Sequence, residues 1–182
     1  MTNRRSSSRN ALLDAAEMVV LAVGAGHLTL DAVADKAGVS KGGLIYHFPS
    51  KEALLEAMMT RLLARFNERQ AKAAESLPPG VRRELQAYVA ASLTDPEETK
   101  RLSAAILAVV ANNPRLLAPV KEYFRQWFAG LPDSGLGFGR AAVISLAVDG
   151  LWLLEMLQLS PLDRRRREEV AQELFRLADG ND

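Results

Sequence analysis

The sequence has no cysteine and only two histidines, His27 and His47, among its 182 residues. The lack of cysteine excludes disulfide bonds, thiolate nucleophiles and cysteine-ligated zinc sites. Aromatic residues make up only 6%, the formal net charge is +1, and the most apolar stretches are too short or too charged to span a membrane. The basic N-terminus lacks the apolar segment of a secretory signal. We therefore expect a soluble, cytoplasmic protein without a membrane segment, in which local charge decides any nucleic-acid binding.

Hydrophobic residues make up 48% and charged residues 25% of the chain, which is typical of a globular protein. Alanine and leucine are abundant, β-branched runs are short, and apolar residues recur at helical spacing. The sequence therefore predicts an all-α protein with about nine helices and no sheet. The predicted helices are 9–23, two short ones capped by Thr29 and Ser40, a long one capped by Ser50, and 81–93, 97–111, 114–129, 140–159 and 162–178.

One segment carries a recognisable motif. The residues from Leu30 to Ala37 form one short predicted helix, Gly38-Val39-Ser40 a tight turn, and the residues from Lys41 to Phe48 a second helix. Gly38 supplies the backbone freedom that such a turn needs. A helix-turn-helix places its second helix in the DNA major groove, but the same pattern also occurs in helical bundles that do not bind DNA.

The flanking residues make the pattern specific. Four runs together resemble the TetR family of bacterial transcriptional regulators. They are the run from Leu30 to Gly38, Val39-Ser-Lys-Gly42, Tyr46-His-Phe48 and Ser50-Lys-Glu-Ala-Leu54. The resemblance covers roughly residues 9–66. It implies an N-terminal three-helix DNA-binding domain and a larger helical-bundle domain for effector binding and dimerisation. The predicted parts are a basic flexible arm at 1–8, a DNA-binding domain at 9–52 with its motif at about 29–48, and an effector-binding and dimerisation domain at 53–182.

The resemblance also implies a set of DNA contacts. Hydroxyl, ammonium and phenol groups near a helix start can contact phosphates, a lysine can also reach a guanine edge, and glycines let the backbone approach the bases. An arginine arm can lie in the minor groove. The implied residues are Thr29, Ser40, Lys41, Gly42, Gly43, Tyr46, His47 and Lys51, with Arg4 and Arg5 from the arm.

Several of these residues have a purely structural alternative. Thr29 can be a simple helix cap, Lys41 a solvated lysine, and the N-terminal arm a solvated tail. His47 is better explained as part of the small domain's packing than as a base contact. The family often has an aromatic pair before this histidine, but here the first member is Ile45, which either loses a phosphate contact or reads a thymine methyl group.

A second candidate site lies in the apolar segment 140–159. Ser145, Asp149, Trp152 and Met156 fall on one helical face, and a buried Asp149 must be paired or hydrogen-bonded. Asp149 could meet a polar or cationic ligand group, or it could cap a neighbouring helix or bond to Ser145. The predicted effector pocket comprises Met59, Phe66, Tyr88, Phe124, Trp127, Asp149, Trp152 and Met156, although aromatics at helical spacing are commonly core.

The remaining faces of the segment 140–159 are almost entirely apolar, which requires cover on more than one side. The segment 162–178 is amphipathic, so these last two helices are expected to form a homodimer across a twofold axis.

We expect a homodimeric repressor that binds a palindromic double-stranded DNA operator and is released by a small apolar or amphipathic effector. The alternatives are a helical dimeric interaction protein without operator binding, and a helical-bundle enzyme. The sequence holds no HExxH, Walker or nucleophile-elbow motif, so we expect no catalytic residues, no metal site and no cofactor.

Overall fold

The fold was analysed in a computed structural model, which describes residues 2–110 and 113–180, with side chains from residue 8 onward. The described residues form nine α-helices and no strand, which confirms the predicted all-α class. The helices are α1 (Thr2–Val23), α2 (Leu30–Ala37), α3 (Lys41–His47), α4 (Lys51–Glu75), α5 (Arg83–Leu93), α6 (Glu97–Val110), α7 (Ala118–Gly130), α8 (Phe138–Met156) and α9 (Arg164–Ala178). None of these helices is long and apolar enough to cross a membrane.

The chain packs as two compact units. The first unit comprises Met1–Leu62 and Arg101–Lys121, and the second comprises Leu63–Lys100 and Glu122–Asp182. The first half of α4 therefore packs with the N-terminal helices. The predicted boundary between a DNA-binding part ending at residue 52 and an effector-binding part beginning at residue 53 is a division by function, and it stays a prediction.

Short-range capping defines the helices of the first unit. The Thr29 hydroxyl accepts from the Ala32 amide at 3.1 Å, and the Ser40 and Ser50 hydroxyls cap α3 and α4 in the same way. Gly38 ends α2 with φ 68°, in the left-handed region that favours glycine. The buried core of this unit draws on α1 to α4 and on α6, and includes Leu12, Leu13, Val33, Leu44, Phe48, Leu54, Met58 and Ile106.

The second unit has a separate core formed by α5, α8, α9 and the short turn Leu131–Ser134. Its buried members include Leu85, Tyr88, Val89, Ile144, Val148, Leu151 and Leu174. A polar network joins four segments of this unit, because Glu155 accepts from both Lys100 and Arg167, and Arg167 also donates to the Leu93 carbonyl at 2.9 Å.

Some predicted boundaries are wrong. The structure continues α1 back to Thr2, where the sequence analysis predicts a flexible arm, because no proline or glycine interrupts residues 2–8. The predicted helix 140–159 runs over Phe138–Met156 and ends where Gln158 adopts φ 57°. The segment 114–117 is a tight 3-10 turn that precedes α7, and α9 begins at Arg164 after its cap Asp163.

Candidate nucleic-acid interface and effector site

The helix α3 has one buried and one exposed side. Leu44 of α3 and Phe48, which directly follows the helix, are fully buried in the core of the first unit. These two contacts fix how α3 is rotated about its own axis. Lys41, Ile45 and Tyr46 are exposed, and 64% of the Tyr46 surface is accessible to solvent. Gly42 and Gly43 are also exposed, so backbone as well as side chains are accessible on this surface. We call the exposed side of α3 the recognition face.

The cation at the start of the recognition face is engaged within the protein. The Lys41 ammonium lies 2.9 Å from the Asp31 carboxylate of α2, and both side chains remain more than half exposed. The Lys51 ammonium donates to the Gly26 carbonyl at 3.0 Å. Both ammonium groups are therefore held in place at the surface, Lys41 by an exposed ion pair that is weak in water.

The other predicted DNA residues have defined local roles. Thr29 and Ser40 are helix caps, as the structural alternative for Thr29 requires, and both are exposed. His47 is half-buried, with its Nε2 atom 3.4 Å from the Ser8 hydroxyl and its ring edge-on to Tyr46. The side chains of Arg4 and Arg5 lie outside the described residues. None of these local roles prevents contact with a phosphate.

The second unit contains a connected set of four aromatic rings, Phe66, Tyr88, Tyr123 and Trp127, which we call the aromatic cluster. Tyr88 stacks on Trp127 with ring centroids 4.2 Å apart. Phe66 packs edge-on against both tyrosines, at 5.6 and 5.9 Å. The Trp127 indole donates to the Ser145 hydroxyl at 3.1 Å. Helices α4 and α5 each supply one ring, α7 supplies two, and α8 supplies Ser145, so the cluster depends on tertiary packing.

Asp149 brings a carboxylate to this cluster. The Tyr88 hydroxyl donates to Asp149 Oδ1, and burial raises the pKa of Asp149 to about 6 in spite of that hydrogen bond. Burial, and then the charge of Asp149, raises the pKa values of the Tyr88 and Tyr123 phenols. The Tyr123 hydroxyl is buried and has no hydrogen-bond partner among the described residues.

The structure brings together only part of the predicted effector pocket. Phe66, Tyr88, Trp127 and Asp149 form one group, as the prediction requires. Met59 belongs instead to the core of the first unit, because it lies on the part of α4 that packs there.

Three further predicted pocket residues lie beside or outside the aromatic cluster. Phe124 is exposed and touches the rings of Tyr123 and Phe128. The Trp152 indole donates to Asp95 at 2.8 Å, and Met156 is buried but contributes to neither core.

Sequence reasoning missed Tyr123. Its neighbour Phe124 occupies the next position of the same amphipathic helix, and the sequence alone does not show which of the two adjacent rings faces the interior. The only signal is the pairing of Tyr123 with Trp127 at i and i+4, which places both on one face of α7.

A different depression opens on the surface of the second unit. It encloses about 540 Å³, and its lining includes Lys100, Glu155 and Arg167. Lys100 and Arg167 both pair with Glu155, and no residue of the aromatic cluster lines the depression. No group of metal-ligating side chains occurs within the part of the chain that the structure describes.

Two family models match the chain. Residues 12–58 match the model for bacterial regulatory proteins of the tetR family, and residues 82–179 match the model for the tetracyclin repressor-like C-terminal domain. The HTH-type transcriptional regulator BetI of Escherichia coli K12 is 30% identical over 186 residues, with 92% of each chain covered.

Solved structures agree with these matches. A TetR-family transcriptional regulator from Rhodococcus sp. superposes with a TM-score of 0.74 at 20% identity, covering 96% of this chain and 98% of that one, which shows a shared fold. The multidrug binding protein EbrR complexed with ethidium has a TM-score of 0.67 at 25% identity, and the match covers 92% of this chain and 98% of the EbrR chain. The family assignment rests on the helix-turn-helix with its exposed face, on both family models and on the relatives that match over most of the chain. The chain therefore belongs to the TetR family of DNA-binding, ligand-responsive transcriptional repressors, which are not enzymes.

Proposed function

We propose that this chain acts as a homodimer that binds a palindromic operator through its two α3 helices and leaves the operator when a small amphipathic effector binds beside the aromatic cluster. Residues 9–52 serve as the DNA-binding part and residues 53–182 as the effector-binding and dimerisation part. The observation that carries the proposal is the recognition face, a polar and glycine-containing surface held outward by two buried anchors, Leu44 and Phe48.

The recognition face divides into base-reading and phosphate-binding positions. Lys41 begins α3, which is the end that enters the major groove in helix-turn-helix proteins, and its ammonium can reach a guanine edge. Ile45 lies one turn further and offers apolar contact to a thymine methyl group. Tyr46, Lys51 and the Thr29 hydroxyl at the start of α2 are placed for phosphates.

The dimer contact is proposed on α8, together with α9. Val143, Leu146, Leu153 and Leu157 are exposed and recur at intervals of three, seven and four residues, so they form one stripe along α8. Gly150 lies on the same stripe, and a Cβ atom added there would meet nothing within 4 Å. An apolar stripe with a glycine at its centre suits close packing against a second helix, as in a four-helix arrangement across a twofold axis.

The helix α9 supplies additional apolar surface, because Val170 and Phe175 are exposed while Leu174 packs inward. The predicted segments 140–159 and 162–178 thus remain our proposal for the interface.

The effector site is proposed at the aromatic cluster because aromatic faces and one carboxylate suit an amphipathic molecule. EbrR, which has the same fold, has been solved in complex with ethidium, a flat aromatic molecule. A relative of this architecture thus accommodates an aromatic ligand, which supports an aromatic-lined site here.

Release follows from a change in the spacing of the two α3 helices. Successive major grooves are roughly 34–36 Å apart, so only a dimer with that spacing engages both half-sites. An effector that binds more tightly to a dimer of different spacing shifts the population away from DNA.

The proposal is tested by selecting a DNA site in vitro with the purified protein and measuring binding by fluorescence anisotropy at several salt concentrations. We expect a palindromic site whose affinity falls steeply with salt, because phosphate contacts release counterions. Recovery of no preferred sequence would instead favour a dimeric interaction protein that does not bind an operator.

A further inference from the structure

The charge of Asp149 is not balanced within the second unit. Asp149 has one hydrogen bond, from Tyr88, and no ion-pair partner among the described residues. Three cations of this unit are engaged with other carboxylates, because Arg69 pairs with Asp95, and Lys100 and Arg167 pair with Glu155. Asp149 is partly buried, and carboxylates withdrawn from water are normally paired with a cation, so this one is unusual.

A second polar group beside the cluster is also unsatisfied. The buried Tyr123 hydroxyl has no hydrogen-bond partner within the described part of the chain. Tyr123 packs against Phe66, and Phe66 packs against Tyr88, the residue whose hydroxyl donates to Asp149. Buried hydroxyls are almost always hydrogen-bonded in folded proteins, so an exception suggests a partner that binds from outside.

The aromatic rings themselves favour a positive charge. Their faces carry negative electrostatic potential, and cations bind over them. One cation of the protein already does so, since the Arg69 guanidinium lies 5.7 Å from the centroid of Phe66. Phe66 in turn packs edge-on against Tyr88 and Tyr123, the two phenols whose pKa values the charge of Asp149 raises.

We propose that the effector is an organic cation that carries N–H donors, such as a primary or secondary ammonium or an amidinium, and that Asp149 and the Tyr123 hydroxyl accept from it while the rings surround its apolar part. This inference rests on the proposed effector site at the aromatic cluster. A quaternary ammonium would balance the charge of Asp149, but it has no N–H group and would leave the Tyr123 hydroxyl without a partner. A neutral ligand would leave the carboxylate unbalanced.

Three ligands of similar shape test the proposal by isothermal titration calorimetry on the intact protein: 1-naphthylmethylammonium, its N,N,N-trimethyl form and 1-naphthalenemethanol. We expect the primary ammonium to bind at least tenfold more tightly than the alcohol and at least threefold more tightly than the trimethyl form. Equal binding of the ammonium and the alcohol, or no binding of the ammonium up to 5 mM, would overturn the proposal.

Two variants assign the roles. Asp149→Asn keeps an acceptor for the Tyr88 hydroxyl but removes the charge, so the ammonium-to-alcohol preference should fall to within twofold. Tyr123→Phe should reduce the preference for the primary over the trimethyl form, because one of the two N–H acceptors is lost, and should leave affinity for the trimethyl form unchanged. The control Glu122→Gln removes an exposed carboxylate that is bonded to Arg125, and it should change neither ratio.

If Asp149 serves only as an acceptor for Tyr88, Asp149→Asn will retain the full preference for the ammonium, and the proposal is then wrong. Should Asp149→Asn fail to fold, the three ligands on the unmodified protein still decide the matter. Operator affinity without ligand is measured on the same proteins. In the unmodified protein, the absence of ligand selectivity together with intact operator binding counts against this inference alone, whereas selective ligand binding without any operator binding counts against the proposed function alone.

Discussion

The two units differ in how their key residues are positioned. In the first unit, Thr29, Ser40 and Ser50 each cap a helix through an amide three residues later, and Gly38 closes the turn between α2 and α3. In the second unit, the four rings of the aromatic cluster come from three helices that are distant in sequence, α4, α5 and α7. The comparison shows that the helix-turn-helix is encoded by local sequence and the aromatic cluster by tertiary packing.

The units also differ in how they treat charge. The exposed Lys41 of the first unit is paired with Asp31, and Arg61 pairs with both Asp14 and Glu17. The second unit keeps Asp149 partly buried without a cation. An unbalanced buried charge lowers stability, and such costs are commonly found at binding sites. The four predictions below test this contrast.

The largest effect is expected at the stripe on α8. Leu153→Glu places a charge at a position that is 41% exposed in the single chain but is proposed to be buried in the dimer. Burying an unpaired charge costs several kcal/mol, and a stable interface of this kind buries more than ~2,000 Å². We expect monomer or aggregate in sedimentation velocity and loss of operator binding.

The matched control for Leu153→Glu is Val81→Glu, which changes another exposed apolar residue of the second unit, outside α8 and α9. It should leave the dimer intact. A Leu153→Glu protein that remains a folded dimer would show that the stripe is not the interface.

The second prediction concerns the stability of the second unit. Burial raises the pKa of Asp149 from its ordinary 3.8 to about 6, so the wild type loses stability as the pH rises through 6. The shift is roughly two pKa units at about 1.4 kcal/mol each, which makes Asp149→Asn more stable above pH 7 by on the order of 3 kcal/mol. The difference should shrink at pH 5 and vanish below about pH 4.

Urea unfolding at pH 5 and pH 8 measures this difference, with Glu122→Gln as the exposed control. An Asp149→Asn variant that is less stable than the wild type at pH 8 would show that the carboxylate is balanced within the protein.

The same contrast explains what sequence reasoning could predict. The caps and the turn of the first unit depend on residues a few positions apart, so Thr29, Gly38 and Ser40 were predicted with their roles. The start of α1 was not, because the polar residues before Arg9 fit either a flexible arm or a helix that begins earlier.

The aromatic cluster and its carboxylate were predicted only in part because their residues meet through packing. Periodicity predicted that Asp149 shares one helical face with Ser145, Trp152 and Met156, but not that Tyr88 would be its partner. Met59 and Phe66 lie on one helix at helical spacing, yet they belong to different units because the packing partners of α4 change along its length. No local pattern reveals that change.

The third prediction separates base contacts from phosphate contacts on the recognition face. Lys41→Ala should weaken operator binding about tenfold and change the preferred bases, since a base contact contributes about 1–3 kcal/mol of discrimination. Lys51→Ala should weaken binding to all sequences by a similar factor and reduce the salt dependence, because phosphates carry no base information. Parallel site selection with both variants measures this, and an unchanged base preference for Lys41→Ala would assign Lys41 to a phosphate.

The smallest effect is expected at the ion pair between Asp31 and Lys41. Asp31 holds the Lys41 ammonium at 2.9 Å on the recognition face, and its own negative charge repels phosphates. Because the pair is exposed, it contributes only about 0–1 kcal/mol to stability, so Asp31→Asn should leave the unfolding midpoint nearly unchanged.

On DNA, however, the same change should free Lys41 and raise affinity for operator and non-operator sequences alike by two- to fivefold at low salt. The increase should fade as salt screens the charges, because exposed charges interact over about 10 Å at 0.1 M salt and less above it. Asp35→Asn is the matched control, since Asp35 is an exposed carboxylate of the same helix for which the structure shows no contact with Lys41. If Asp31→Asn lowers operator affinity while Asp35→Asn does not, Asp31 orients Lys41 for its base contact, and the ion pair is then part of the bound state rather than a competitor of DNA.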